Sequence, residues 1–234
     1  MTLPFKSVCG HSYRRIILII MVLQLYGFFG STCTKRVAIV LHEKKIPFQF
    51  HNVDLAKGEQ KLAEFKAKQP FGQVPYIDDE GFTIFESRAI ARYLDDKDTN
   101  PQTKLIPQDL KKRAVFEQAA SVEQSNFDYI AAPLVYEVLI KKRYGLETDT
   151  AKVAELTGRL TQKLDVYERI LSKQKYLAGD ELTLADLFHL PYGALLPVAG
   201  VYLIQERPNV ARWFNELSSR PSWQAVKDKV ESVA

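Results

Sequence analysis

Cysteine is nearly missing from this chain of 234 residues, which carries only Cys9 and Cys33. A disulfide scaffold is excluded for everything after residue 20, and the scarcity fits a thiol-reducing compartment. Histidine is scarce too, and His11, His42, His51 and His189 form no metal-ligand spacing with either cysteine. No glycine-rich phosphate loop is present. Acidic residues are absent before Glu43, so Lys6, Arg14 and Arg15 supply most of the net charge of +4 and the remainder is close to neutral. Apart from LIKKRY there is no dense basic run, and no aromatic stacking motif accompanies it, which removes nucleic acid as a partner. The longest apolar run starts at Ile16. Gln24 and Gly27 break it short of the ~20 residues that a membrane span needs.

What is present describes an ordinary globular protein, 46% apolar and 26% charged, long enough for one large or two small domains. Residues 1–20 stand apart as a basic segment without acids. They read either as an extension ahead of a functional start at Met21, or as a signal anchor or mitochondrial presequence. The first reading is preferred, because targeting would require Val22 and Leu23 to serve both the apolar run and the first strand.

From Val22 the pattern is β, α, β, α, β, β, α. Val22 to Tyr26 forms a short strand, and Thr34 to Lys44 places Val37, Ala38, Val40 and Leu41 on one helical stripe. Phe48 to Val53 alternates as a strand, and Leu62 and Phe65 mark a short helix. Tyr76–Asp78 and Phe82–Phe85 are strands joined by a hairpin at Asp79-Glu80-Gly81, and a helix opens at Glu86-Ser87. A polar connector runs from Asp95 to Pro107. Beyond it the chain reads as helix, with two amphipathic segments over Leu110–Tyr144 and another over Ala151–Lys173. Thr183 and Asp186 form a capping box, with Leu182 and Leu187 as its staple, so Asp186 reads as structural. Pro208 and Pro221 open or separate the terminal helices.

Two features within FGQVPYIDDEGFTIFESRAIARYL, residues 71–94, suit a small ligand. A residue before proline is held extended, so Val74 offers N–H and C=O to an extended peptide. The first helical turn at Ser87 offers free N–H groups and a positive dipole end to a carboxylate. Together they fit a short anionic peptide, although each alone is also a strand entry or a cap. Ser31, after the Gly27–Gly30 loop, has the same double character, since a serine there caps a helix for about 1 kcal/mol.

PFGQVPYIDDEGFTIFESRAIARYL resembles the glutathione-binding half of a soluble glutathione transferase. GFFGSTCTKRVAIVLHEKKIPF resembles the opening of the phi class, and LAGDELTLADLFHLP is similar to that family's second half. The likeness runs from about Met21 to the C-terminus. It implies an α/β thioredoxin-like N-terminal domain over 21–96, a linker over 97–106 and an all-α C-terminal domain over 107–234 that contributes the electrophile pocket. It also implies a cytoplasmic homodimer that conjugates reduced glutathione to hydrophobic electrophilic small molecules, with peroxidase activity as a further expectation. Glutathione is then a co-substrate, with no cofactor and no metal.

The resemblance carries roles residue by residue. Ser31 donates to the glutathione thiolate as the catalytic residue. Gln73 and Val74 hold the cysteinyl backbone, with Pro75 cis. Glu86 meets the γ-glutamyl ammonium, Ser87 the adjacent carboxylate and Lys61 the glycyl carboxylate. Gln60 stands where many phi-class sequences carry a histidine. Phe28, Phe29, Phe127, Ile130 and Tyr192 are candidates for the electrophile pocket. Two rival readings accompany these: a Cys33-dependent thiol transferase, and a non-catalytic carrier of hydrophobic ligands on the same fold.

Overall fold

The computed structural model describes residues 22–233, and the readings attached to residues 1–20 lie outside the described residues. Strand β1 (Leu23–Gly27) alternates buried and half-buried side chains, as does a strand between two helical layers. Its start falls one residue later than the apolar run suggests, because its parallel register with β2 (Phe48–Asn52) begins at Leu23. Strands β3 (Tyr76–Asp79) and β4 (Phe82–Phe85) complete a mixed sheet of order β2-β1-β3-β4. Helix α1 (Thr32–Lys44) starts two residues before the predicted point. Ser31 caps it, its Oγ accepting from the Thr34 N–H at 3.3 Å. A Cβ on Gly27 would stand 2.6 Å from Thr34 Oγ1, so only glycine lets that first turn approach the strand so closely.

One face of the sheet buries Leu23, Leu25 and Ile77 in a core shared with Val37, Val40 and Leu41 of α1 and with Ile90, Ala91 and Leu94 of α3 (Ser87–Lys97). The other face carries a smaller cluster of Val53, Phe65 and Tyr76, with Phe65 supplied by the short α2 (Ala63–Lys66). Helix α3 extends into the predicted connector, where Asp95 ends up fully buried. Its carboxylate pairs with the buried Lys44 ammonium and accepts from the N–H groups of Leu105 (2.7 Å) and Ile106 (3.1 Å). The connector is thus pinned to the first domain.

The two segments predicted over Leu110–Tyr144 form one continuous helical run. Helix α4 (Leu110–Val122) passes through a wide turn at Glu123–Asp128 into α5 (Tyr129–Val135), then through a second wide turn at Tyr136–Ile140 into α6 (Lys141–Arg143). The two turns flank Pro133, whose missing N–H interrupts the regular ladder. Helices α7 (Thr150–Leu171), α8 (Leu184–Leu187), α9 (Leu190–Gly193), α10 (Pro208–Ser218) and α11 (Pro221–Val226) follow, with both prolines at helix openings. Asp186 closes the capping box and accepts from Leu177 N–H and Trp213 Nε1, both at 2.9 Å, confirming its structural role. The chain's end returns to the sheet, where Val233 pairs antiparallel with Phe48 and covers the β2 edge.

His189 is buried between Phe127, Tyr167 and Trp213, its Nδ1–H donating to Ala185 O at 2.8 Å and its Nε2 accepting from the Tyr167 hydroxyl at 3.1 Å. Burial pulls its pKa down to about 3. The unfolded chain, near the ordinary ~6.5, therefore binds the proton first as pH falls. The stabilisation is complete above ~6.5 and is lost towards ~3, amounting to about 2 kcal/mol by about pH 5. The unfolding midpoint of His189→Gln should fall less steeply with acid than that of the parent; equal slopes would contradict this.

Candidate active site

The sheet registers gather the predicted residues. The C-terminal ends of β1, β2 and β4 and the start of β3 meet at one edge, with Gly27 opposite Asn52, Tyr26 opposite Tyr76 and Tyr76 opposite Phe85. The loop to Ser31, the 53–61 segment, Gln73-Val74-Pro75 and Glu86-Ser87 all leave the sheet there. The Val74–Pro75 peptide is cis. No backbone hydrogen bond among the described residues occupies Val74, which leaves its N–H and C=O open to an extended partner. Gln73 N–H donates to Gln69 Oε1 at 3.2 Å, which fixes the approach to the turn.

Lys61 reaches the same turn, its ammonium donating to Gly72 O at 2.8 Å. Gly72 has φ 60°, and a Cβ there would stand 2.7 Å from Gln60 O, so glycine allows the two segments to meet. The Gln60 side-chain oxygen is buried without a partner among the described residues. Glu86 is exposed and adopts φ 70°, a conformation that side-chain-bearing residues enter at a cost of about 1–3 kcal/mol. Glu86→Gly should therefore raise stability by about 1 kcal/mol while weakening binding of a γ-glutamyl peptide. Chemical unfolding and calorimetric titration measure both, and a destabilised variant would contradict the strain argument.

Ser31 Oγ accepts from Thr34, and among the described residues no acceptor takes its own hydrogen, which can donate at the N-terminus of α1. Cys33 is half-buried in the first turn, 3.6 Å from Arg36 Nη1. The pocket candidates separate. Phe127 and Ile130 are 2% and 1% exposed inside the main core, where the Phe127 ring packs against His189. Phe28 stacks obliquely on Phe29 at 4.5 Å, and Phe29 lines a shallow depression with Phe50, Asn52 and Val230. Burial raises the Tyr192 phenol pKa, with the Thr32 side chain acting in the opposite direction. Tyr192 thus lies against the first turn of α1.

The sequence reading missed the ion network beneath these residues. Arg36 is 1% exposed and donates to Ser87 Oγ (3.0 Å) and Asp128 Oδ1 (2.9 Å). Arg88 grips the buried Glu123 through two bonds of 2.7 and 2.8 Å and reaches Asp128 at 3.1 Å. Burial pulls the Arg88 pKa down, but Glu123 and Asp128 outweigh it and hold it above the ordinary guanidinium value. The wide turn brings Glu123 and Asp128, five residues apart, to one face. The available signal was an arginine set in the apolar stripe of α1, where a charged residue is buried only when paired. Among the described residues no group of three or more His, Cys, Asp or Glu is able to hold a metal ion.

Family profiles described as "Glutathione S-transferase, N-terminal domain" and "Glutathione S-transferase, C-terminal domain" match residues 21–96 and 127–221. The chain belongs to the glutathione transferase family. Among this transferase's relatives, glutathione S-transferase F12 from Arabidopsis thaliana is 42% identical over 88% of this chain and 97% of its own length. The crystal structure of glutathione transferase F7 from Populus trichocarpa superposes with a TM-score of 0.84 at 39% identity, covering 88% of this chain and 98% of its own. Glutathione S-transferase I from mais, in complex with an atrazine glutathione conjugate, gives 0.83 at 33% identity, over 88% and 97%. These relatives bear out the phi-class resemblance, and the fold of this transferase is the thioredoxin-like sheet with a helical second half that the resemblance implied.

Proposed function

We propose that this transferase conjugates reduced glutathione to apolar electrophiles, with Ser31 stabilising the thiolate. A free thiol has a pKa of ~8.5 and is mostly protonated near neutrality, whereas the thiolate is the nucleophile. The Ser31 hydroxyl and the N-terminus of α1 favour the anion without any covalent intermediate. Gln73 and Val74 take the cysteinyl backbone as an added strand, ahead of cis Pro75. Ser87 with the N-terminus of α3 takes the γ-glutamyl carboxylate, Glu86 the neighbouring ammonium, and Lys61 with Gln60 the glycyl end. Held this way, the sulfur waits beside an acceptor in a site built from residues 21–96 and 107–234, joined by 97–106. Phe28 and Tyr192 would supply its apolar walls, and a relative that binds an atrazine glutathione conjugate fits a hydrophobic acceptor.

The observation that carries this reading is the convergence of four chain segments at one sheet edge, with a serine hydroxyl whose hydrogen no acceptor among the described residues takes. Purified protein should conjugate glutathione to a chloronitrobenzene acceptor. Glutathione binding without turnover towards this acceptor or an organic hydroperoxide would favour the carrier instead. We place the protein in the cytoplasm as a homodimer. Phe71, 66% exposed beside Gln73, and Leu110, 82% exposed, are apolar surface that a partner subunit would cover. Sedimentation at micromolar concentration should give a dimer, and a monomer would remove that part of the account.

A further inference from the structure

We propose that Arg36 is a positioning residue for glutathione: it commits the Ser87 hydroxyl to donating towards the γ-glutamyl carboxylate, and it holds the two helix starts of the site together. The proposal rests on reading Ser87 as the partner of that carboxylate.

A guanidinium donates hydrogen bonds and accepts none. With Arg36 Nη1 3.0 Å from Ser87 Oγ, the serine oxygen is the acceptor. Ser87 is only 5% exposed, and its hydrogen has to find an acceptor elsewhere. A hydroxyl that would otherwise serve an ammonium or a carboxylate equally is thereby turned into a donor, the polarity that an anion requires. The positive end of the α3 macrodipole lies at the same place and has the same preference.

The remaining contacts of Arg36 explain why an arginine is needed. Nη2 reaches Asp128 at 2.9 Å, Nε reaches Phe188 O at 3.4 Å, and Nη1 lies 3.6 Å from Cys33 Sγ. One planar fork therefore touches α1, α3, the wide turn before α5 and the end of α8. Lysine, a single point charge on a flexible stem, does not reproduce that geometry. Stability alone does not account for the pair, since a buried ion pair is often matched by well-packed apolar side chains. Arg36 stands one and a half turns beyond Ser31 on α1. Its bond to Ser87 therefore ties α1 to the first turn of α3, at the end of the site that receives the carboxylate.

The test compares glutathione with its analogue lacking the γ-glutamyl carboxylate, 4-aminobutyryl-cysteinyl-glycine, by calorimetric titration and steady-state kinetics. The variant is Arg36→Gln with Asp128→Asn, which leaves no unpaired charge in the core. Glutathione binding and KM should weaken about tenfold, as loss of a hydrogen bond to a charged group implies. Affinity for the analogue should not change, and kcat at saturating glutathione should stay within about twofold, because Ser31 is untouched. Adding Ser87→Ala should cost little further, since Arg36 acts on the carboxylate through the Ser87 hydroxyl. If circular dichroism shows the double variant unfolded, Arg36→Lys keeps the charge opposite Asp128 and should show the same selective loss. Equal losses for both peptides, or undiminished glutathione affinity in a folded variant, would overturn the role of Arg36. Parent protein that binds both peptides equally tightly would overturn the Ser87 assignment and the proposal with it, and parent protein that binds neither would remove the glutathione site itself.

Discussion

Ser31→Ala is expected to lower kcat for glutathione conjugation by about 10²–10³, the loss typical of removing one preorganised donor to a developing or resident anion. Glutathione affinity should change little, because the proposed grip on the peptide lies at Val74, Ser87 and Lys61. The same hydroxyl caps α1 through Thr34, so the variant should also lose about 1 kcal/mol of stability. The two effects separate with Ser31→Asp, whose carboxylate still accepts from Thr34 N–H but cannot donate to sulfur and repels it. Stability should return with Ser31→Asp, and turnover should not. Cys33→Ser is the control for the rival chemistry and should leave conjugation nearly intact. If the cysteine change proves the more damaging, the thiol-transferase mechanism is right and the serine assignment is wrong.

Asp95→Ala should be among the most destabilising single changes in the molecule. It strands the buried Lys44 ammonium, whose other acceptors are Thr103 O and, at 3.4 Å, Asp98, and it leaves the N–H groups of Leu105 and Ile106 without their partner. Breaking a buried ion pair from one side costs about 3–5 kcal/mol. For a chain of this size that lowers the unfolding midpoint by about 10 °C. Asp95→Asn retains an acceptor for one backbone N–H and should fall between. A drop of less than about 2 °C for the alanine variant would show that the connector is held by packing alone.

The sheet and the first helices were legible because their residues obey simple periods: alternation in Phe48–Asn52, an apolar stripe in α1, and a hairpin at Glu80-Gly81. The capping box at Thr183 and Asp186 and the helix-opening prolines were equally legible, since each is a local device with a fixed spacing. The ion clusters were not. Lys44, Asp95 and Glu123 look like solvated charges in sequence, Arg36 is marked only by its place in the apolar stripe of α1, and the partner of each emerges only from tertiary packing. Phe127 and Ile130 escaped for a related reason. A wide turn changes the residue spacing that shares a face, and nothing in EQSNFD announces it. The closure of the β2 edge by Val233 depends on a single backbone pairing distant in sequence, which no periodicity reveals.

The most direct test of the account is a titration of the sulfur itself. Ultraviolet absorbance of the thiolate, followed against pH with glutathione bound, gives its apparent pKa in the site. The account predicts a midpoint clearly below the ~8.5 of a free thiol in the parent protein, returning towards that value in Ser31→Ala while glutathione remains bound. The same midpoint in both proteins would contradict the claim that Ser31 stabilises the thiolate.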